Sequence, residues 1–180
     1  MSTATKNKIQ TKEIAFVGLF AAIIAICAQI QFPILQVPIT LQTFAIALAG
    51  YFLSAKYSTF STIVYILLGS IGLPVFAGFK GGLNVLVGYT GGFLLGFIFM
   101  AFLCGLSNKF DNMFISILLG IAGLIIVHLL GVTYFSFVLK KDFYSSFLLA
   151  SFPFLIKDVV SIVLPYFIAT NVKKRVKFFD

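Results

Sequence analysis

Asp158, Lys157 and His128 are ionisable side chains that fall inside apolar runs of this sequence. Such groups are costly within a membrane, where they mark ligand, ion or proton sites by default. On a helix, Asp158 and Ser161 are three residues apart and share a face, while Lys157 and Ser161 are four apart. Lys157 projects about 100° away from Asp158, but its long stem lets the ammonium swing back toward the carboxylate or snorkel outward. The two uses of Lys157, binding and snorkelling, stay open, as do a binding and a structural role for Asp158. His128 reads first as a hydrogen bond between helices and second as a ligand group. One histidine and no His/Cys/Glu cluster argue against a metal centre or a nucleophilic triad. The expectation is binding rather than turnover: no enzyme, no metal and no cofactor. Gln42, Thr43, Asn84, Tyr89 and Thr90 add donors and acceptors to an otherwise apolar, aromatic interior, which fits a small ligand with an apolar body and one or two polar ends.

The stretch that shapes such a site runs from Gly69 to Gly96. It holds nine of the fifteen glycines, Pro74 and a single lysine, Lys80. Irregular backbone at membrane depth survives only where it is buried in protein or lines a cavity, so residues 72–89 are expected to form a glycine-rich lid. Lys80 and the Gly81-Gly82 amides are candidates for holding a carboxylate.

The remaining chain supplies the frame. Hydrophobic residues make up 61% of the sequence and charged residues 10%, with a mean hydropathy of +1.11, where a soluble domain carries about 25% charged residues. The expected fold is an all-α integral membrane protein, a six-transmembrane-helix bundle with an extracellular lid, in one membrane domain over residues 1–180. At about 20 residues per span, the helices fall at 12–30, 40–53, 57–71, 90–106, 113–139 and 151–172, the second and third being short. Ser151 is expected to cap the last helix, with Pro153 in its first turn and Pro165 kinking it. Net charge is +8, but the basic residues sit at the ends of apolar runs, which points away from nucleic acid. Nine of them (Lys6, Lys8, Lys12, Lys56, Lys109, Lys173, Lys174, Arg175 and Lys177) fall on one side, against Lys80, Lys140 and Lys141 on the other. Positive charge is retained inside, so both termini should be cytoplasmic at the plasma membrane, with the lid facing outward. Ala15, Gly18, Ala22 and Ala25 share one face of the first helix. Small residues at this spacing let another helix approach closely, either within the bundle or as a docking strip for a separate subunit.

Several stretches together resemble a known family. Val37-Pro38-Ile39-Thr40-Leu41-Gln42-Thr43, then Gly72-Leu73-Pro74-Val75-Phe76, Gly81-Gly82-Leu83 and Gly88-Tyr89-Thr90-Gly91-Gly92-Phe93 are similar to the BioY family, in order and over nearly the whole chain. The resemblance implies a substrate-binding S component of an energy-coupling factor transporter, specific for biotin. It further implies a transmembrane coupling protein and two ATPase subunits as partners, with the small-residue strip of the first helix as the docking surface. It puts the family's ligand-facing acid at Asp158; with the reading of the residues themselves, Asp158, Ser161, Lys157, Asn84, Lys80, Gln42, Tyr89 and Thr90 are the expected ligand contacts. Two positions depart from the family pattern: Tyr89 stands where proline is usual, and Ser161 where a lysine usually follows the aspartate. Either Lys157 supplies the missing cation or the ligand is a relative such as lipoate or dethiobiotin. A reading of a different class is a stand-alone proton-coupled carrier using Asp158 and His128 as a relay; a third, a small intramembrane enzyme, lacks a nucleophile–base pair.

Overall fold

The computed structural model describes residues 11–32 and 37–175. Lys6, Lys8 and Lys177 of the charge count, and the middle of the loop after the first helix, lie outside the described residues. Eight helices are present among those described: α1 (Thr11–Gln29), α2 (Gln42–Phe52), α3 (Ala55–Ser70), α4 (Leu83–Leu86), α5 (Gly91–Leu106), α6 (Met113–Leu139), α7 (Phe143–Ala150) and α8 (Leu155–Arg175). A short antiparallel pair, β1 (Gln31–Phe32) with β2 (Ile39–Thr40), brings the chain from α1 to α2. A helix therefore stands over each of the six expected ranges. Four segments, 11–29, 91–109, 113–139 and 143–175, are long and apolar enough to cross a membrane.

Helix ends follow local chemistry. Asn112 caps α6, its Oδ1 accepting from the Phe114 and Ile115 amides at 2.8 and 3.4 Å. Lys140 ends the same helix in the left-handed region, at φ 52°. Asp142 then caps α7. Its Oδ2 accepts from the Ser145 N–H at 2.8 Å, and that bond holds the carboxyl below its usual range.

The last helix starts differently from expectation. The Ser151 side chain makes no cap hydrogen bond; Phe152–Phe154 form a single 3-10 turn with Pro153 at its start, and α8 begins at Leu155. The Ser151 hydroxyl is instead engaged with His128 Nδ1 at 2.8 Å. Helix α8 runs unbroken through Pro165.

Helix α5 forms the centre of the bundle, packing on α2, α3 and α6, while α8 packs on α2 and α6. Close approach of α5 to α6 depends on Gly96: a Cβ there would lie 2.7 Å from Val127 Cα, far inside van der Waals contact. Helix α1 stands at the edge, against α3 and α2. Its inward face is Phe20, Ala21, Ile24 and Ala28, all buried. The apolar side chains pack as two clusters, a large one around Tyr65, Phe76, Phe97 and Met100 and a small one of Val37, Phe135, Ala150 and Phe154.

Candidate functional site

Between these two clusters lies a cavity with a void of about 800 Å3, its opening included. The large cluster lends it Phe76, Leu94, Phe97 and Val127, and the small one Val37, Ala150 and Phe154. Aromatic rings are tilted rather than stacked around it: Tyr65 meets Phe76 edge-on at 5.6 Å, and Tyr89 meets Phe135 edge-on at 5.8 Å.

Into this apolar surface one wall brings three ionisable groups. Asp158, in the first turn of α8, is 4% exposed. A carboxylate there sits favourably, since the helix N-terminus carries partial positive charge. Lys157 swings back across the 100° between the two side chains and forms an ion pair with Asp158 Oδ1. Its Nζ also donates to the Thr40 carbonyl at 3.0 Å and to Thr43 Oγ1 at 3.4 Å. This ties α8 to the junction of β2 and α2. On the other side, His128 Nε2 lies 3.2 Å from Asp158 Oδ2. That is a close polar contact without hydrogen-bond alignment, while the same ring is anchored by Ser151 through Nδ1.

Gln42 is also pre-set. Its Nε2 donates to the Tyr65 hydroxyl at 2.7 Å, and its Oε1 accepts from the Thr40 hydroxyl at 3.0 Å. Lys80 reaches the cavity from the glycine-rich segment, where it is exposed and where Phe76 and Lys80 pair as an antiparallel bridge.

Of the eight ligand contacts expected from the sequence, the cavity lining brings together Asp158, Lys157, Lys80, Gln42, Tyr89 and Thr90. Two stand elsewhere. Asn84 is exposed on α4 and folds toward Gly82, whose φ of 99° turns the backbone there. Ser161 is buried but is not part of the lining. Gly81 and Gly82 are not part of it either; Gly81 packs instead against the carbonyls of Gly72 and Leu73. Thr40 and Phe76 are lining residues the sequence did not single out, although both lie within the VPITLQT and GLPVF stretches. Their presence in two otherwise regular motifs was the available signal.

The expected strip on α1 faces away from the bundle. Ala15, Gly18 and Ala22 are exposed and Ala25 is partly so, and a Cβ at Gly18 would meet open space.

Comparison with known proteins agrees with the frame. Residues 2–178 match the model of the BioY family. The biotin transporter BioY of Thermotoga maritima is 42% identical over 158 residues, covering 87% of this chain and 93% of that protein. A probable biotin transporter BioY of Pyrococcus horikoshii is 35% identical over 166 residues, covering 92% and 98%. The crystal structure of the S-component for biotin from an ECF-type ABC transporter superposes with a TM-score of 0.84 at 28% identity, covering 95% of each chain. A multi-pass membrane protein with this match along its length is a member of the BioY family.

Proposed function

We propose that this chain is the substrate-binding subunit of an energy-coupling factor importer and that its ligand is biotin. The observation that carries the reading is Asp158, an almost fully buried carboxylate at the wall of an apolar cavity, already paired with Lys157. Biotin's ureido ring offers two N–H donors and one carbonyl. A buried carboxylate accepts from such a donor, and Gln42 or the Lys157 ammonium serves the carbonyl; hydrogen bonds to charged groups are worth about 1.5–3 kcal/mol each. The apolar rings of the lining cover the bicyclic body and chain, and Lys80 meets the valerate carboxylate at the exposed edge. Asn84 and Ser161, outside the lining, act on the ligand only if residues 83–86 or α8 shift on binding.

The same proposal includes the topology. Six helices span a single membrane domain at the plasma membrane, both termini are cytoplasmic, and residues 72–89 form an outward lid. A transmembrane coupling protein docks on Ala15, Gly18, Ala22 and Ala25, and two ATPases drive transport. Exposure of that strip favours docking over packing within the bundle.

Lipoate has no ureido group to engage Asp158, whereas dethiobiotin retains one. A calorimetric titration of detergent-purified protein with biotin, dethiobiotin and lipoate tests the ligand. One biotin per chain with high affinity is expected, with lipoate weaker; absence of heat and of competition removes biotin. Uptake into proteoliposomes containing this chain alone and driven by a pH gradient would instead favour the carrier that relays protons through His128 and Asp158.

A further inference from the structure

Gln29 closes α1, and its carboxamide engages a segment far along the chain. The two Nε2 hydrogens are shared among three carbonyls, those of Val75 at 3.0 Å, Phe76 at 3.1 Å and Ala25 in its own helix at 3.3 Å. Oε1 accepts from the Phe79 N–H at 2.9 Å. Three of these bonds span one tight turn, whose ends are joined by Phe76 N–H to Lys80 O at 2.9 Å and Lys80 N–H to Phe76 O at 3.2 Å.

The turn is not one the backbone adopts freely. Phe79 has φ 56°, a left-handed conformation uncommon for a bulky residue that persists where its surroundings enforce it. Phe79 is 72% exposed and gains little from packing, so the Gln29 acceptor is the contact that fixes its amide. The same turn presents Phe76, Ala77 and Lys80 to the cavity. Helix α1 stands at the edge of the bundle, against α3 and α2. The cavity's roof is thus held at two places, by Phe76 buried against Tyr65 and, on its outer side, by one side chain of an edge helix.

We propose that Gln29 is a positioning residue for the ligand, a latch that holds the Val75–Lys80 turn closed over the cavity and so slows release. The inference rests on the reading of the cavity as a biotin site, and the test separates the two. Gln29→Met keeps the length of the side chain and removes all its hydrogen bonds. In the full-length, detergent-purified protein without ligand, hydrogen exchange over residues 73–82 is expected to rise about tenfold while α5 and α6 are unchanged. With biotin bound and chased by excess unlabelled biotin, release is expected to be at least about fivefold faster, with association altered less than about twofold. Unchanged exchange over 73–82, a rise spread evenly across the bundle, or faster exchange with an unchanged release rate each overturns the latch. If the unmutated protein fails to bind biotin, the ligand assignment falls, and the exchange measurement alone decides the latch.

Discussion

Lys157 and Lys80 line the same cavity in opposite circumstances. The ammonium of Lys157 is paired with the Asp158 carboxylate and donates to the Thr40 carbonyl at 3.0 Å and, more weakly, to Thr43 Oγ1 at 3.4 Å. Lys80 is exposed and has no carboxylate partner among the described residues. A cation that is already neutralised by a carboxylate attracts an anion weakly. A free one at a wet edge attracts it, subject to screening. The buried pair is therefore a neutral surface of donors and acceptors, and the net positive charge of the cavity resides at Lys80. Together they favour a ligand with an uncharged polar head and an anionic tail, entered head first.

The largest effect is expected from breaking the buried pair. Asp158→Asn removes the strongest acceptor facing the ligand head and strands the Lys157 charge. Biotin affinity should fall by more than about tenfold, the lower end of a charge-assisted hydrogen bond, as read by calorimetry. The substitution also lowers stability, because a charge left without its counterion is costly to bury. The double variant Lys157→Met with Asp158→Leu separates the two effects: its melting temperature should return toward that of the unmutated protein while affinity stays lost. An unchanged affinity in Asp158→Asn would make the pair purely structural. Lys157→Met alone is expected to weaken biotin and its methyl ester equally, by less than Asp158→Asn, since Lys157 serves the head and not the tail. A loss confined to biotin would reverse the assignment of the two lysines.

How much of this was legible in the sequence differs between frame and site. The helical ranges follow from apolar runs bounded by lysine, glycine and proline, which periodicity and length alone can read. Helix α7 was not legible. Its residues are as apolar as those after it; the break before α8 was readable from Pro153, which has no N–H to continue a helix, but a separate helix ahead of it was not. Asp158 stood out as an acid in an apolar run, but the direction taken by Lys157 depends on side-chain torsions that residue spacing does not encode. The position of Asn84 outside the lining has a related cause: it follows the path of the glycine-rich backbone around Gly82, and glycine permits many paths. The face of α1 that turns outward was likewise undecided, because small residues pack equally well inside a bundle or against a partner. Burial of Phe20, Ala21, Ile24 and Ala28 decides which face is which.

The free lysine gives the smallest effect and the sharpest discrimination. Exposed ion pairs are worth about 0.2–1 kcal/mol, which corresponds to roughly 1.4-fold to fivefold in affinity. Lys80→Ala should weaken biotin by that amount and leave biotin methyl ester unaffected, because the ester carries no charge for Lys80 to meet. Raising ionic strength should erode the difference between Lys80→Ala and the unmutated protein, since the Debye length shortens to about 3 Å at 1 M salt. The Asp158→Asn deficit should persist under the same salt, its pair being shielded from solvent. If salt abolishes both deficits alike, the two stations are equally wet, and the distinction between a committed cation and a free one does not hold.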